Sequence, residues 1–182
     1  FPSMRAGGIL QRIGSGGVSP GQTLCLFKSW IKKKMVEKTS QKTKTVATGG
    51  CLCGGVRFEI QGPLMDVIDC HCSKCRRFHG HIGAYTATDR ENLVLVQADT
   101  LKWFRSTTDE TPNVHRGFCG NCGSSLFWDP RGKPRISIAA GALDPPTGLR
   151  TTGHVWVSQK GDYYAITDGL IQHDERFARA DD

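Results

Sequence analysis

The stretch Asp69-Cys70-His71-Cys72-Ser73-Lys74-Cys75-Arg76 puts three thiols within six residues. Two further pairs flank it, Cys51-Leu52-Cys53 upstream and Cys119-Gly120-Asn121-Cys122 downstream. Zinc is four-coordinate when its role is structural, and in catalytic sites it keeps three protein ligands and one open position. The two pairs together make four ligands and the middle cluster makes three, a partition that suggests an enzyme. A second partition stays open, in which one pair lends a fourth ligand to the middle cluster and leaves an orphan behind. Three thiolates on a dication form a net negative centre, a weak Lewis acid better suited to holding a substrate thiolate than to making hydroxide. Chemistry on a thiol-containing small molecule is the expectation.

The elements that must position these residues read as short strands. Val56–Ile60 alternates apolar and polar residues, as a half-buried strand does. Met65–His71 is a second strand carrying Cys70 at its end. Ser73 is placed to cap a short helix through Phe78, closed by Gly80. That puts Cys72 and Cys75 beside a helix N-terminus, where the dipole favours thiolate. The glycines after each flanking pair, Gly54-Gly55 and Gly123, permit the tight bends chelation needs. Further strand-like runs are Gly83–Thr88, Leu93–Gln97, Leu101–Ser106, Val114–Phe118, Ser125–Trp128, Arg135–Ala140 and His154–Val157. Their spacing argues a mainly β, sandwich-like domain rather than βαβ units.

Composition bounds the rest. The net charge of +7 is uneven. Residues 1–48 hold nine Lys/Arg and one acid, so 9 − 1 = +8, and the remainder carries 15 − 16 = −1. The basicity belongs to an N-terminal extension over 1–48, which reads as disordered, and nucleic acid is not expected as a partner of the folded part. Met4 to Lys34 lacks acidic residues and fits a mitochondrial transit segment; the alternative is an upstream stretch without a structural role, with Met35 as the natural start. No run of eighteen apolar residues exists, so no membrane span is expected. Close cysteine pairs close only tiny loops and make poor disulfide staples, which points to metal, a reducing compartment and a cytoplasmic protein. Cys25 belongs to no motif and reads as a spare thiol. The domain is expected over 49–176, followed by an acidic tail at 177–182.

Gly50-Cys51-Leu52-Cys53-Gly54-Gly55-Val56-Arg57-Phe58, Cys70-His71-Cys72-Ser73-Lys74-Cys75-Arg76 and Phe118-Cys119-Gly120-Asn121-Cys122-Gly123 resemble the glutathione-dependent formaldehyde-activating enzyme family. His154-Val155-Trp156-Val157 and Asp168-Gly169-Leu170 resemble its C-terminal pattern less specifically. The resemblance implies a β-tent fold of antiparallel sheets around a structural zinc held by Cys51, Cys53, Cys119 and Cys122. It implies a second, catalytic zinc on Cys70, Cys72 and Cys75, with glutathione as co-substrate. The implied reaction is condensation of glutathione with formaldehyde, that of a carbon–sulfur lyase. The family also includes centromere protein V, so the rival function is a non-catalytic zinc scaffold whose basic extension binds microtubules or nucleic acid. A β-tent methionine sulfoxide reductase would need a free nucleophilic cysteine, and the two metal sites claim all seven in the folded part.

Other residues carry lesser expectations. Arg76 is the candidate contact for a glutathione carboxylate, although Lys74, Arg76 and Arg77 also fit a solvated helix face. His71 reads as an exposed spacer between ligands. His79 and His81 suit either a polar role over the site or the surface. Trp103, Trp128 and Trp156 read as core or sheet-face residues.

Overall fold

In the segment Arg57-Phe58-Glu59-Ile60 the apolar side chains are fully buried and the charged ones half-buried, as alternation requires of a strand with one face inward. The same rule shapes Arg135–Ala139, where Ile136 and Ile138 are buried. The computed structural model describes residues 45–105, 107 and 113–177. Most of the basic extension, Cys25, Ser106 and nearly all of the acidic tail lie outside the described residues.

The strands in chain order are β1 (Ala47–Gly50), β2 (Arg57–Ile60), β3 (Val67–Cys70), β4 (Gly83–Asp89), β5 (Leu93–Gln97) and β6 (Leu101–Arg105), then β7 (Val114–Cys119), β8 (Ser125–Pro130), β9 (Arg135–Ala139), β10 (Thr151–Val155) and β11 (Ile171–His173). Among the described residues one α-helix, α1 (Ser73–His79), links β3 to β4. The strands form two sheets, β1-β2-β5 and β11-β10-β3-β4-β9-β8-β7-β6. The fold is mainly β, and pairing is antiparallel except where β10 runs parallel to both β3 and β11.

The large sheet has two chemically different faces. Its register aligns Trp103, Gly117, Phe127, Ile138 and Thr86 in one row across five strands. Phe127 and Ile138 of that row join Phe58 and Ile60 of the small sheet in one buried cluster, with Trp103 packed against it. Phe58 and Phe127 meet edge to face at 5.3 Å between ring centres. A large aromatic so placed is worth roughly 3–5 kcal/mol against truncation to alanine. One residue over, the row Phe104, Arg116, Trp128, Ser137 and Ala87 faces the other way. This second face carries the site.

Several expectations shift by a few residues. β1 begins inside the extension read as disordered. It pairs with β2 and places Gly49 where any Cβ would collide with the Phe58 ring and the Ala142 carbonyl. β11 falls in what reads as an irregular tail. β10 starts earlier and ends at Val155, because Trp156 adopts a left-handed φ of 59° and turns the chain into a 3₁₀ segment over Val157–Gln159. The helix cap is Cys72 rather than Ser73: its sulfur accepts from the Cys75 amide at 3.3 Å, and Gly80 closes the helix at φ 82°. No helix among the described residues is long and apolar enough to cross a membrane.

Candidate functional site

Cys51 and Cys53 follow β1, and Cys119 and Cys122 frame the turn between β7 and β8. The four sulfurs lie within 4.8 Å of one another. Cys53 Sγ is 3.6 Å from both Cys51 Sγ and Cys119 Sγ. Two sulfurs each about 2.3 Å from a tetrahedral zinc stand roughly 3.8 Å apart, so the spacing fits a shared ion. The surroundings favour thiolates at Cys119 and Cys122, while burial pushes the Cys51 thiol up. The Val56 amide donates to Cys51 Sγ at 3.2 Å, the Cys122 amide to Cys119 Sγ at 3.4 Å, and the Thr100 hydroxyl lies 3.0 Å from Cys119 Sγ. The Thr100 hydroxyl holds the Cys119 thiol below its ordinary range, and the Ser124 hydroxyl and amide bring Cys122 down to about 5. Gly54 and Gly123, both at positive φ, make the bends. The group joins the small sheet to the large one, and Cys51 and Cys119 belong to the hydrophobic core.

Cys70 ends β3, Cys72 caps α1 and Cys75 sits in its first turn, with the three sulfurs again within 4.8 Å. Among the described residues no fourth His, Cys, Asp or Glu ligand atom joins them. Donation from Cys70 and then Cys75 lowers Cys72 to about 2. Cys70, which makes the reciprocal bond to Cys72, is pushed far up. Three sulfurs this close share one negative charge between them and reach three only with a cation in their midst. The donor set therefore fits a soft divalent metal such as zinc.

Cys70, Cys72 and Cys75 border a cavity of about 510 Å³. It lies over the second face of the large sheet, with Arg116, Trp128 and Ser137 among its walls. Trp156 closes another side, its indole directed there by the left-handed backbone, an uncommon conformation for a bulky residue. Trp128 and Trp156, read from sequence as core or sheet-face residues, thus line the cavity, whereas Trp103 packs on the core, stacked on Phe127 at 5.8 Å. Arg76 does not line the cavity. Its Nε donates to the Gln159 carbonyl at 3.1 Å, and the Gln159 side chain accepts from the Ser73 amide, which ties α1 to the 3₁₀ segment. The buried arginine on the wall is Arg116, which nothing local in the sequence singles out. His79 backs the cavity, its Nε2 2.6 Å from the hydroxyl of the wall residue Tyr85; His81 is exposed beside Tyr163.

His71 is no exposed spacer. It is 1% exposed and heads a chain of hydrogen bonds. The Asp168 carboxylate only accepts, so His154 Nε2–H donates to it at 2.9 Å. His154 Nδ1 and His71 Nε2 stand 2.9 Å apart, and His71 Nδ1 lies 2.6 Å from the Tyr164 hydroxyl. Burial, and then the neighbouring His154, lower His71 to about 4. The Leu170 amide, with His154, keeps Asp168 below the usual carboxylate range. The chain anchors the residue between Cys70 and Cys72 to β10 and to the segment beyond it.

Comparison with known proteins adds a family. The family model described as glutathione-dependent formaldehyde-activating enzyme matches residues 46–159, more than half of the chain. The match spans both cysteine groups, Arg116, Trp128, His154 and Trp156; Tyr164 and Asp168 lie past its end. Among solved structures, the crystal structure of a Rhodobacter sphaeroides protein is similar at 28% identity, covering 54% of this chain and 88% of that one with a TM-score of 0.44.

Proposed function

This chain belongs to the glutathione-dependent formaldehyde-activating enzyme family, and from that premise we propose that it is a zinc-dependent carbon–sulfur lyase joining glutathione and formaldehyde as S-hydroxymethylglutathione. The observation that carries the reading is the difference in surroundings of the two cysteine groups. Four thiols complete a coordination shell by themselves, while three border a cavity large enough for a small molecule. Cys51, Cys53, Cys119 and Cys122 hold the structural zinc in this reading, and Cys70, Cys72 and Cys75 the catalytic one.

A zinc ion on the three thiolates would supply an open coordination position at which a substrate thiol loses its proton at neutral pH. The bond formed is between the substrate sulfur and the formaldehyde carbon. The carbonyl π electrons move to oxygen, which takes up a proton, so that the thiol's hydrogen is replaced by CH₂OH. Tyr85, on the cavity wall, offers a hydroxyl to that oxygen. Burial pushes its phenol well above the ordinary range, so it keeps its proton. Burial also lowers its partner His79 to about 4, so that ring is neutral and orients the phenol without adding charge.

The test is exchange at equilibrium. Glutathione and ¹³C-formaldehyde are mixed with the full chain loaded with zinc, and the exchange rate into S-hydroxymethylglutathione is read by NMR against the spontaneous rate. Acceleration is expected. A protein with two zinc ions per chain that leaves the exchange at the spontaneous rate defeats the reading. The scaffold alternative depends on the basic extension, most of which lies outside the described residues, and no observation on the folded part favours it.

A further inference from the structure

We infer that Arg116 is the carboxylate anchor of the cavity beside Cys70, Cys72 and Cys75, so that the thiol substrate carries a carboxylate a few bonds from its sulfur. This deepens the proposed function and rests on it for the thiol. Arg116 lies on β7 and is 3% exposed, yet it lines the cavity. Its guanidinium carbon is 5.6 Å from the centre of the Phe78 ring. Phe78 follows Cys75 by three residues on α1, about 4.5 Å along the helix axis. The buried cation and the thiols thus border one cavity, with Phe78 of the same helix as Cys75 against the guanidinium.

A planar guanidinium presents parallel N–H donors that match a carboxylate in two-point fashion, and such bonds are stronger than neutral ones. The remaining charged lining residues are Lys74, Arg176, Asp66 and Glu175. Lys74 is half-buried and the other three are exposed, so water screens them and they discriminate weakly between ligands. Selection for an acid falls to the desolvated group. Trp128 faces Arg116 directly across β7 and β8, and with Trp156 it offers an apolar surface for the atoms between sulfur and carboxylate. A counter-charge for the thiolates alone is the competing role, and Arg116 does favour the ionised form of Cys75. A counter-charge would act on every thiol ligand alike, whereas an anchor acts on acids.

Protection of Cys70, Cys72 and Cys75 from iodoacetamide separates these roles in the zinc-loaded full chain. Glutathione is compared with its diethyl ester, and 3-mercaptopropionate with 2-mercaptoethanol. In the wild type each acid is expected to protect at a concentration at least tenfold below its neutral counterpart. Arg116→Met should abolish that preference with zinc content unchanged, and Arg116→Lys should restore part of it. Equal protection by acids and neutral thiols in the wild type overturns the inference, even if the variants fail to fold; so does an Arg116→Met protein that keeps the preference, or one that only loses zinc. S-methylglutathione, whose sulfur is blocked, tells this failure from failure of the proposed function. If no thiol protects, yet S-methylglutathione binds the wild type at least tenfold tighter than Arg116→Met by calorimetry, the anchor stands and the thiol chemistry falls. If it binds both alike, or neither, the anchor falls as well.

Discussion

The two cysteine groups use the same ligand atom and differ in how far apart in sequence their members lie. Cys53 and Cys119 are 66 residues apart, on turns belonging to different sheets. Cys70 and Cys75 are separated by one end of a strand and one turn of a helix. Treated as cross-links, a 66-residue loop removes about 4 kcal/mol of unfolded-chain entropy and a five-residue loop about 2 kcal/mol. The first group belongs to the core that joins the sheets through Cys51 and Cys119, with Cys53 exposed at its edge. The second borders a cavity and holds together little beyond its own segment. A metal that pins distant segments stabilises the fold. A metal held locally adds little to it, and its three-ligand set leaves room for a substrate.

Removing one ligand from each group is the sharpest way to break that contrast. Cys119→Ser should have the largest effect. Structural zinc is worth on the order of 10 kcal/mol in small zinc peptides, comparable with the whole stability of a domain. The variant is expected to be insoluble or to lack a cooperative melt, and a soluble Cys119→Ser protein with unchanged melting contradicts the structural role.

Cys72→Ser should come next and fall on function instead. Serine is itself a good helix cap, so α1 survives. Metal analysis should find two zinc ions per chain in the wild type and one in the variant, with a near-native melt and the exchange activity lost. Retention of both ions by Cys72→Ser would show that the cavity group is not a metal centre.

His154→Ala tests whether the chain from Asp168 to Tyr164 serves the cavity group in particular. Outer-shell partners typically tune metal affinity by about 10–100-fold. Chelator competition should show the cavity zinc weakened about tenfold and the four-cysteine zinc unchanged, alongside a stability loss of roughly 1–3 kcal/mol from unpaired buried groups. Equal weakening of both ions would mean that the chain supports the fold at large.

The smallest effect concerns the seam between the sheets away from either metal group. Asp144 accepts from Arg57 and from the Thr48 hydroxyl at 2.6 Å, and Arg57, then Thr48, hold its carboxyl below the usual range. A carboxylate lowered on folding contributes stability in full above its unfolded pKa, near 4, and loses it as pH falls through the folded value. Asp144→Asn should therefore lower stability only slightly at neutral pH, as for other partly exposed pairs. The gap to the wild type in denaturant titrations should close on acidification below about pH 4. A gap that persists there would assign the effect to packing instead of charge.

Much of this was legible in the residue string because the relevant physics is local. Ligand spacing within C-x-C, C-x-C-x-x-C and C-x-x-C is a matter of a few bonds, and both groups form from the cysteines the spacing picks out. Alternation marks β2 and β9 because one face of each strand is dry. Gly80 closes α1 because a left-handed residue is needed there. Where local signals were weak, the reading slipped. Ala47–Gly50 has no large apolar side chain to alternate, and pairing with β2 alone makes it a strand.

What tertiary structure alone decided is which residues meet across strands. Arg116, Trp128 and Ser137 come together because β7, β8 and β9 pair in one register, and a slip of a single residue would turn all three to the opposite face. Arg76 sits in the conspicuous motif yet turns away to Gln159, while Arg116 reaches the cavity from a strand of ordinary appearance. His71 looks like a spacer until β10 lies parallel to β3 and brings His154 beside it. The cysteine groups were readable because close spacing acts over a few bonds; the cavity walls and the histidine chain were not, because sheet register is set by the pairing of distant segments.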